Sequence, residues 1–183
     1  ASAAGASSAP VPLLVTISDS WLVSNFEEVI EFLRYVAPAE ELEGLARGTL
    51  EERRARWDAF WAERDPIPAT PVNEFREEFF ERIRVATQQF AEPGLPGWRT
   101  DRGEVYIVLG PPTRFMERPS ARRAGRPGEP EAQEWVYERV PNVGPLRLIF
   151  LDATGFGAFR LSPSSEAAFR AVAERLRRRG ARR

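Results

Sequence analysis

Carboxylates are the side chains best able to do chemistry in this chain, because the sequence contains no His, no Cys and no Lys. The absence of His and Cys removes the commonest ligands of zinc, copper, haem and iron–sulfur centres. It also removes cysteine nucleophiles, Ser-His-Asp triads and histidine acid–base catalysis. Without Lys there is no Schiff base and no phosphate-binding lysine. We therefore expect no metal site and no cofactor.

Two groups of carboxylates could in principle work as pairs. Glu77, Glu78 and Glu81 lie within one predicted helix that also carries several arginines, so a solvated, salt-bridged face is favoured over a metal or hydrolase site. Asp101 and Asp152 could form an acid–base pair, but an Asp at the end of a hairpin is ordinary turn chemistry. We expect no catalytic residue in either group.

One short segment combines two glycines with an aromatic and three polar residues: Gly97, Trp98, Thr100, Asp101, Arg102 and Gly103. As a ligand loop, it would bind through Asp101 and Arg102, with Trp98 as a stacking platform. As a structural joint, its glycines would permit a tight turn, Asp101 would accept bonds from nearby backbone N–H groups and Trp98 would fill the junction between helices and sheet. The structural interpretation is favoured, since nothing nearby supplies an activated nucleophile.

The same segment, continued through residues 104–112, resembles the signature of the GWxTD family, bacterial proteins mostly of unassigned function. Residues 34–41 and 60–74 resemble further blocks of that family. The resemblance implies the identity of the domain and no particular reaction. A weaker resemblance, to small outer-membrane assembly lipoproteins that are non-catalytic binding modules, rests on these residues: Val105, Leu109, Gly110, Pro111, Pro112, Trp135, Val136, Tyr137, Ile149 and Phe150.

The hydrophobic pattern predicts the elements that position this segment. Capping signals at Ser24, Thr49 and Thr70 precede helical periodicities, and Pro38 opens a shorter helix. Alternating or continuous apolar runs predict strands at 105–109, 134–138, 146–151 and 156–161, with a long mobile loop over 113–131. Gly110-Pro111-Pro112 is interpreted as a rigid strand exit. A final helix starts at residues 162–163.

These elements predict an α+β fold in which N-terminal helices pack on a four-stranded antiparallel sheet, followed by a C-terminal Arg-rich helix. Residues 1–20 are predicted to be an extended linker or docking segment, and residues 21–162 the GWxTD-like domain. Residues 163–183 complete the chain as a basic helix and tail. The Ala- and Ser-rich start is typical of a linker after a cleaved leader, so we expect an exported, periplasmic or cell-envelope protein, peripheral to a membrane and without a transmembrane helix.

Arginine is concentrated in two segments although the net charge of the chain is −1. These segments are expected to bind other protein chains of a membrane complex, with anionic lipid headgroups as a second class of partner. Nucleic acid is not expected, because no strand shows an aromatic–basic RNA-binding motif. The predicted partner-binding residues are Arg114, Arg118, Arg122, Arg123, Arg126, Arg175, Arg177, Arg178, Arg179, Arg182 and Arg183.

Two functions follow as hypotheses. The first is a non-enzymatic interaction or scaffold protein, a membrane-extrinsic accessory subunit that stabilises a larger envelope complex, such as a bioenergetic one. The second is a ligand-binding or carboxylate-based hydrolytic domain centred on the loop from Gly97 to Arg102. A closed, polar-lined pocket at that loop would favour the second, and a solid core around Trp98 would favour the first.

Overall fold

The structure, a computed structural model, describes residues 19–119 and 130–180. The helices are α1 Asp19–Leu33, α2 Ala39–Ala46, α3 Leu50–Ala62, α4 Glu74–Gln89, α5 Asp101–Leu109 and α6 Pro163–Gly180, with a 3₁₀ turn at Gly97–Arg99. The strands are β1 Arg114–Arg118, β2 Glu131–Val140, β3 Gly144–Asp152 and β4 Arg160–Leu161. The predicted α+β class is confirmed, with a four-stranded antiparallel sheet in the order β1-β2-β3-β4 and a C-terminal helix. None of the described helices combines the length and the apolar character needed to cross a membrane.

The helix starts show where the capping predictions succeed. Thr49 caps α3 as predicted, because its hydroxyl accepts from the N–H of Glu52 while the Glu52 carboxylate accepts from the N–H of Thr49. Thr70, by contrast, donates its hydroxyl to nearby oxygens, and Asn73 caps α4. The box at Ser24 is also wrong, since α1 already begins at Asp19.

The N-terminal half forms a hydrophobic cluster of its own, here called the helical cluster. Aromatic rings dominate it: Trp57 and Trp61 stand edge to face with centroids 5.5 Å apart. Val29 and Leu33 of α1 and Ala86 of α4 are completely buried in it. Burial of this many large apolar side chains is what orders four short helices that would be marginal alone.

The segment predicted as the first strand is helix α5, which corrects our prediction for 105–109. Val105 is buried against the sheet, whereas Ile107 is buried in the helical cluster. A helix covered on two sides carries apolar residues around its circumference, so its sequence lacks the 3.6-residue period and reads like a buried strand. Gly110, with φ 79°, therefore ends a helix and not a strand.

The first strand lies instead within the segment predicted as a loop. Every residue of β1 is exposed, so no burial pattern marks it in the sequence, and its pairing with β2 defines it. At the opposite edge, β4 contains only Arg160 and Leu161. The predicted strand over 156–161 is thus mostly a loop, which enters the sheet at its last two residues.

A second hydrophobic cluster, here called the sheet cluster, lies between the inner face of the sheet and helices α5 and α6. It contains Trp135 of β2, Leu148 and Phe150 of β3, and Phe169 of α6. Phe90, at the end of α4, contacts both clusters. The segment from Gly97 to Gly103 thus leads from the helical cluster into the helix that borders the sheet cluster.

Candidate functional site

The two glycines of the signature lie at points of close backbone contact. A β-carbon on Gly97 would lie 2.1 Å from the carbonyl oxygen of Ala86, near the C-terminal end of α4. A β-carbon on Gly103 would lie 1.9 Å from the carbonyl oxygen of Gly97 itself. Neither position accommodates a side chain without movement of the backbone, so these glycines fix the packing of the 3₁₀ turn between α4 and α5.

Thr100 connects the turn to α5. Its fully buried hydroxyl donates to the carbonyl oxygen of Gly97 at 2.8 Å and accepts from the N–H of Gly103 at 3.0 Å. The residue is therefore the N-cap of α5 and also the link that closes the preceding turn.

Asp101, at the first position of α5, bonds to a distant strand. One oxygen of its carboxylate accepts from the N–H of Leu161 in β4 at 2.8 Å. A carboxylate in the first turn is also favoured by the helix dipole. The expected bonds to nearby N–H groups are thus replaced by a bond that ties the start of α5 to the edge of the sheet.

Trp98 is 6% exposed and belongs to the helical cluster. Its ring stands edge to face against Phe32 of α1 with centroids 4.8 Å apart, and the guanidinium of Arg99 lies 4.6 Å from its centroid. The Tyr35 hydroxyl donates to its carbonyl oxygen at 2.6 Å, and burial raises the pKa of that hydroxyl against the opposing effect of Arg34. The predicted place of Trp98, between helices and sheet, is corrected to the interior of the helical half.

Arg102 binds a buried carboxylate in an ionic group, here called the Glu92 cluster, which comprises Glu92, Arg102 and the half-exposed Arg160. The Glu92 side chain is 1% exposed, and its oxygens accept from Arg102 Nη2 at 3.3 Å, from the N–H of Phe159 at 3.1 Å and from Arg160 Nη1. Burial lowers the pKa of Arg102, and Glu92 opposes this shift. The Arg102 guanidinium also lies 4.3 Å from the centroid of the Phe159 ring.

Asp152 organises the loop between β3 and β4. Its carboxylate accepts from the N–H groups of Thr154, Gly155 and Gly157 at 3.1, 2.8 and 2.6 Å, and from the Thr154 hydroxyl at 2.8 Å. Burial raises the pKa of Asp152, but these hydrogen bonds lower it further than burial raises it, so the net pKa is below the usual value. Asp152 thus acts as a turn residue, as the sequence suggested.

The carboxylates around the signature are therefore all engaged by donors of this chain. Asp101 binds a strand amide, Glu92 binds two guanidiniums and an amide, and Asp152 binds four donors. A general base needs a lone pair within hydrogen-bond reach of a substrate proton. Chemically, the arrangement is suited to holding the end of α4, the start of α5 and the sheet edge in one geometry.

This geometry gives a structural role to each residue that defines the sequence signature. A family model of the GWxTD domain matches residues 3–158 of the chain. The chain belongs to the GWxTD domain family. The match starts within the segment predicted as an N-terminal linker and stops before α6. In this GWxTD domain, the signature marks the joint between the two hydrophobic clusters. Neither a curated protein nor a solved structure matches the chain at a significant level.

The predicted partner-binding arginines lie in separate parts of the fold. Arg114 pairs with Glu138 at 3.6 Å on the exposed edge strand β1, which also carries Arg118. In α6, Arg177 and Arg178 pair with Glu174, and Arg175 is exposed. The structure does not describe the side chains of the others: Arg122, Arg123, Arg126, Arg179, Arg182 and Arg183. Within the described ranges, no group of three or more carboxylates is arranged to hold a metal ion.

Sequence reasoning missed Glu92 and Arg160. Glu92 directly precedes Pro93 and Gly94, the predicted end of a helix, where a charged residue suggests a solvated turn. The sequence carries a weak signal for α5. Thr100 is a capping residue followed by acidic residues, and Gly110 is a typical helix end, so together they delimit a nine-residue helix.

Proposed function

We propose that this GWxTD domain is a non-enzymatic interaction protein, a membrane-extrinsic accessory subunit of a larger envelope complex, such as a bioenergetic one. It would be exported and would bind other protein chains. Anionic lipid headgroups are a second class of partner, attracted by its exposed arginines at about 1 kcal/mol per residue near a charged membrane surface.

The observation that carries the proposal is that the signature residues are buried in the fold or bonded to other parts of it. Thr100 is fully buried, Trp98 nearly so, and Asp101 is bonded to β4. A ligand loop must instead present polar groups to solvent or to a cavity. When the most distinctive residues of a domain maintain its frame, its specific contacts are expected on the exposed surface.

The competing hypothesis, a ligand-binding or hydrolytic domain centred on residues 97–102, needs a carboxylate with a free lone pair. Glu92 would have to exchange intramolecular bonds for substrate bonds, and breaking a buried ion pair leaves an uncompensated charge that costs roughly 3–5 kcal/mol. Asp101 would have to act with the carboxylate that also holds β4. The geometry therefore favours the interaction protein.

The exposed surface offers contacts of the kind that interfaces use. Phe115 and Met116 on β1 are each 48% exposed, beside Arg114 and Arg118. Aromatic residues, Met and Arg are enriched at protein interfaces relative to other surfaces, and an edge strand provides backbone groups for pairing. We expect β1 to contribute to partner binding, with the end of α6 as a second contact.

Affinity capture of the full chain from detergent-solubilised membranes tests the proposal. We expect a defined set of co-purifying membrane-complex subunits, lost with Arg114→Glu or Phe115→Asp and retained with Arg47→Glu. Arg47 is a matched control because it is an exposed arginine in a surface ion pair, with its side chain 76% exposed. Recovery of the chain alone, or equal capture by all variants, would count against the proposal.

A further inference from the structure

The sheet has a second face, on the side away from α5 and α6. Trp135 and Leu148 lie directly opposite each other in β2 and β3 and belong to the sheet cluster. Side chains alternate along a strand, so the next residues on these strands point to the other side of the sheet, here called the outer face. Val136 and Ile149 lie there half-buried, and neither belongs to the helical cluster or to the sheet cluster.

Three rows of directly paired residues cross the outer face from β1 towards β4. Two of the rows begin and end with an arginine and are apolar between, and the middle row has apolar ends and one carboxylate. In order, the rows are Arg118, Ala132, Leu151 and Arg160; Met116, Glu134 and Ile149; and Arg114, Val136 and Arg147. The outer face is therefore a largely apolar surface with guanidiniums on both sides.

The outer face presents more positive than negative charge to solvent. The side chains of Arg114 and Arg147 are 66% and 62% exposed, and that of Arg160 is half-exposed. The carboxylates that pair with Arg147 and Arg160 are buried, since the side chain of Glu134 is 11% exposed and that of Glu92 only 1%. A guanidinium has five N–H donors, so donors remain for a second acceptor that approaches from solvent. This charge pattern is complementary to an acidic partner.

Beyond β3 and β4 the outer face continues into an open groove of about 290 Å³. Leu151 and Arg160 belong to both, and the other lining residues are alanine, leucine, proline, serine and threonine. Within the part of the chain that the structure describes, no carboxylate lines the groove. An acidic partner that extends beyond the strands therefore meets no opposing charge there.

We propose that the outer face binds an amphipathic helix of a partner protein, with an apolar stripe and carboxylates on both flanks. A helix is about 10–12 Å wide, and four strands about 4.8 Å apart present a surface of roughly 14 Å between their outermost axes. One helix along β2 and β3 thus covers Val136, Ile149 and Leu151, while its flanking carboxylates reach the arginines on either side. The inference rests on the proposed function and names the kind of segment that the partner presents.

A helical layer on this face would complete an arrangement that the inner face already shows. Apolar sheet faces are normally buried under a second layer of structure, and α5 and α6 form that layer on the inner face. An anionic membrane fits the outer face less well. The apolar side chains of β2 and β3 are half-buried between longer arginines, and the Glu134 carboxylate in the middle row would face the lipid phosphates.

Calorimetric titration of the full chain with two helical peptides of about 18 residues tests the proposal. Both peptides carry the same leucine stripe, flanked by Glu in one peptide and by Lys in the other. We expect micromolar binding of the Glu peptide, which weakens as salt is added, and at least tenfold weaker binding of the Lys peptide.

Phe115 and Met116 provide a matched pair of variants. Both side chains are 48% exposed on β1, but Phe115 lies opposite Trp135 on the inner side of the sheet, whereas Met116 lies opposite Glu134 on the outer face. Met116→Asp should weaken binding of the Glu peptide at least tenfold, and Phe115→Asp should leave it unchanged. Circular dichroism and melting temperature establish that both variants are folded.

Equal binding of the two peptides overturns the inference, as does equal binding of the Glu peptide by Met116→Asp and Phe115→Asp. Tighter binding to vesicles of phosphatidylcholine and phosphatidylglycerol than to the Glu peptide, lost in Met116→Asp, would assign the outer face to a membrane and also overturns it.

The capture experiment separates this inference from the proposed function. Capture of membrane-complex subunits by wild type and Met116→Asp alike would preserve the proposed function and overturn the binding of a partner helix at the outer face. Recovery of the chain alone, together with selective binding of the Glu peptide, would count against the proposed function and support the outer face as a docking surface for acidic helices.

Discussion

The α-carbon of Gly103 faces the carbonyl oxygen of Gly97 so closely that a β-carbon there would lie 1.9 Å from that oxygen. The two glycines of the family signature thus contact each other across one turn, and Thr100 between them bonds to both. Their spacing of six residues is what brings the start of α5 back over the 3₁₀ turn. The signature residues are therefore the ones that this contact requires.

Gly103→Ala should destabilise the protein by about 3 kcal/mol or more, because the added methyl group meets backbone that cannot move aside without disturbing α4. Chemical denaturation measures the change. Gly44→Ala in α2 is the matched control, since a β-carbon there meets nothing within 4 Å, and replacing a helical glycine by alanine should stabilise by ~0.5–1 kcal/mol. Similar stabilities for the two variants would contradict the contact.

Trp98→Ala should cost ~3–5 kcal/mol, the range for truncating a buried large aromatic side chain. Its ring is enclosed by Phe32 and by the guanidinium of Arg99, so removal leaves a cavity in the helical cluster. Phe156→Ala, at an exposed aromatic, should change stability by less than ~0.5 kcal/mol. An unchanged melting temperature for Trp98→Ala would refute its role in the core.

Glu92→Gln should destabilise the fold by about 3 kcal/mol, because it removes the hydrogen-bonded counter-charge of the buried Arg102 guanidinium. Arg102 is 11% exposed at its side chain. The control is Glu43→Gln, which breaks a surface pair with Arg47 and should cost less than ~0.5 kcal/mol. Chemical denaturation of the two variants measures the loss in the free energy of unfolding. Equal small losses would show that the Glu92 cluster contributes little to stability.

Asp152 should make the stability of the protein sensitive to acid. Its folded pKa lies below the unfolded value of roughly 3.9, so its contribution is present above about pH 4 and is lost as the pH falls through the folded pKa. Asp152→Asn should be less stable at neutral pH by ~1–3 kcal/mol, because a neutral amide replaces the charged acceptor. It should also lose less stability than wild type between pH 5 and pH 2. An identical acid dependence in both proteins would contradict this assignment.

The sequence predicts the helical half well, because amphipathic helices carry local signals. The box at Thr49 and the apolar residues of α4 each act within one or two turns. It predicts β2 and β3 for the same reason, since their inner residues alternate. The α+β class therefore follows from patterns that a single element can show.

The predictions that are wrong concern elements whose structure depends on residues distant in the sequence. The second half of α5, residues 105–109, is apolar around its circumference because it touches two clusters, and β1 is a strand only because β2 pairs with it. The same holds for the site: Glu92 and Arg160 are 68 residues apart and meet only in the fold. No local pattern in the sequence indicates a contact of that kind, so the sequence predicts the joint and does not predict its ionic centre.

Helix α5 also has a consequence for how the molecule comes apart. Val105 on one side and Ile107 on the other are each at most 1% exposed, in different clusters. Neither half can open fully without exposing one face of the same nine-residue helix, so the two cores should lose their structure together in one cooperative transition. The amide protons of α5 should then exchange with solvent only through global unfolding, and report the stability of the whole domain.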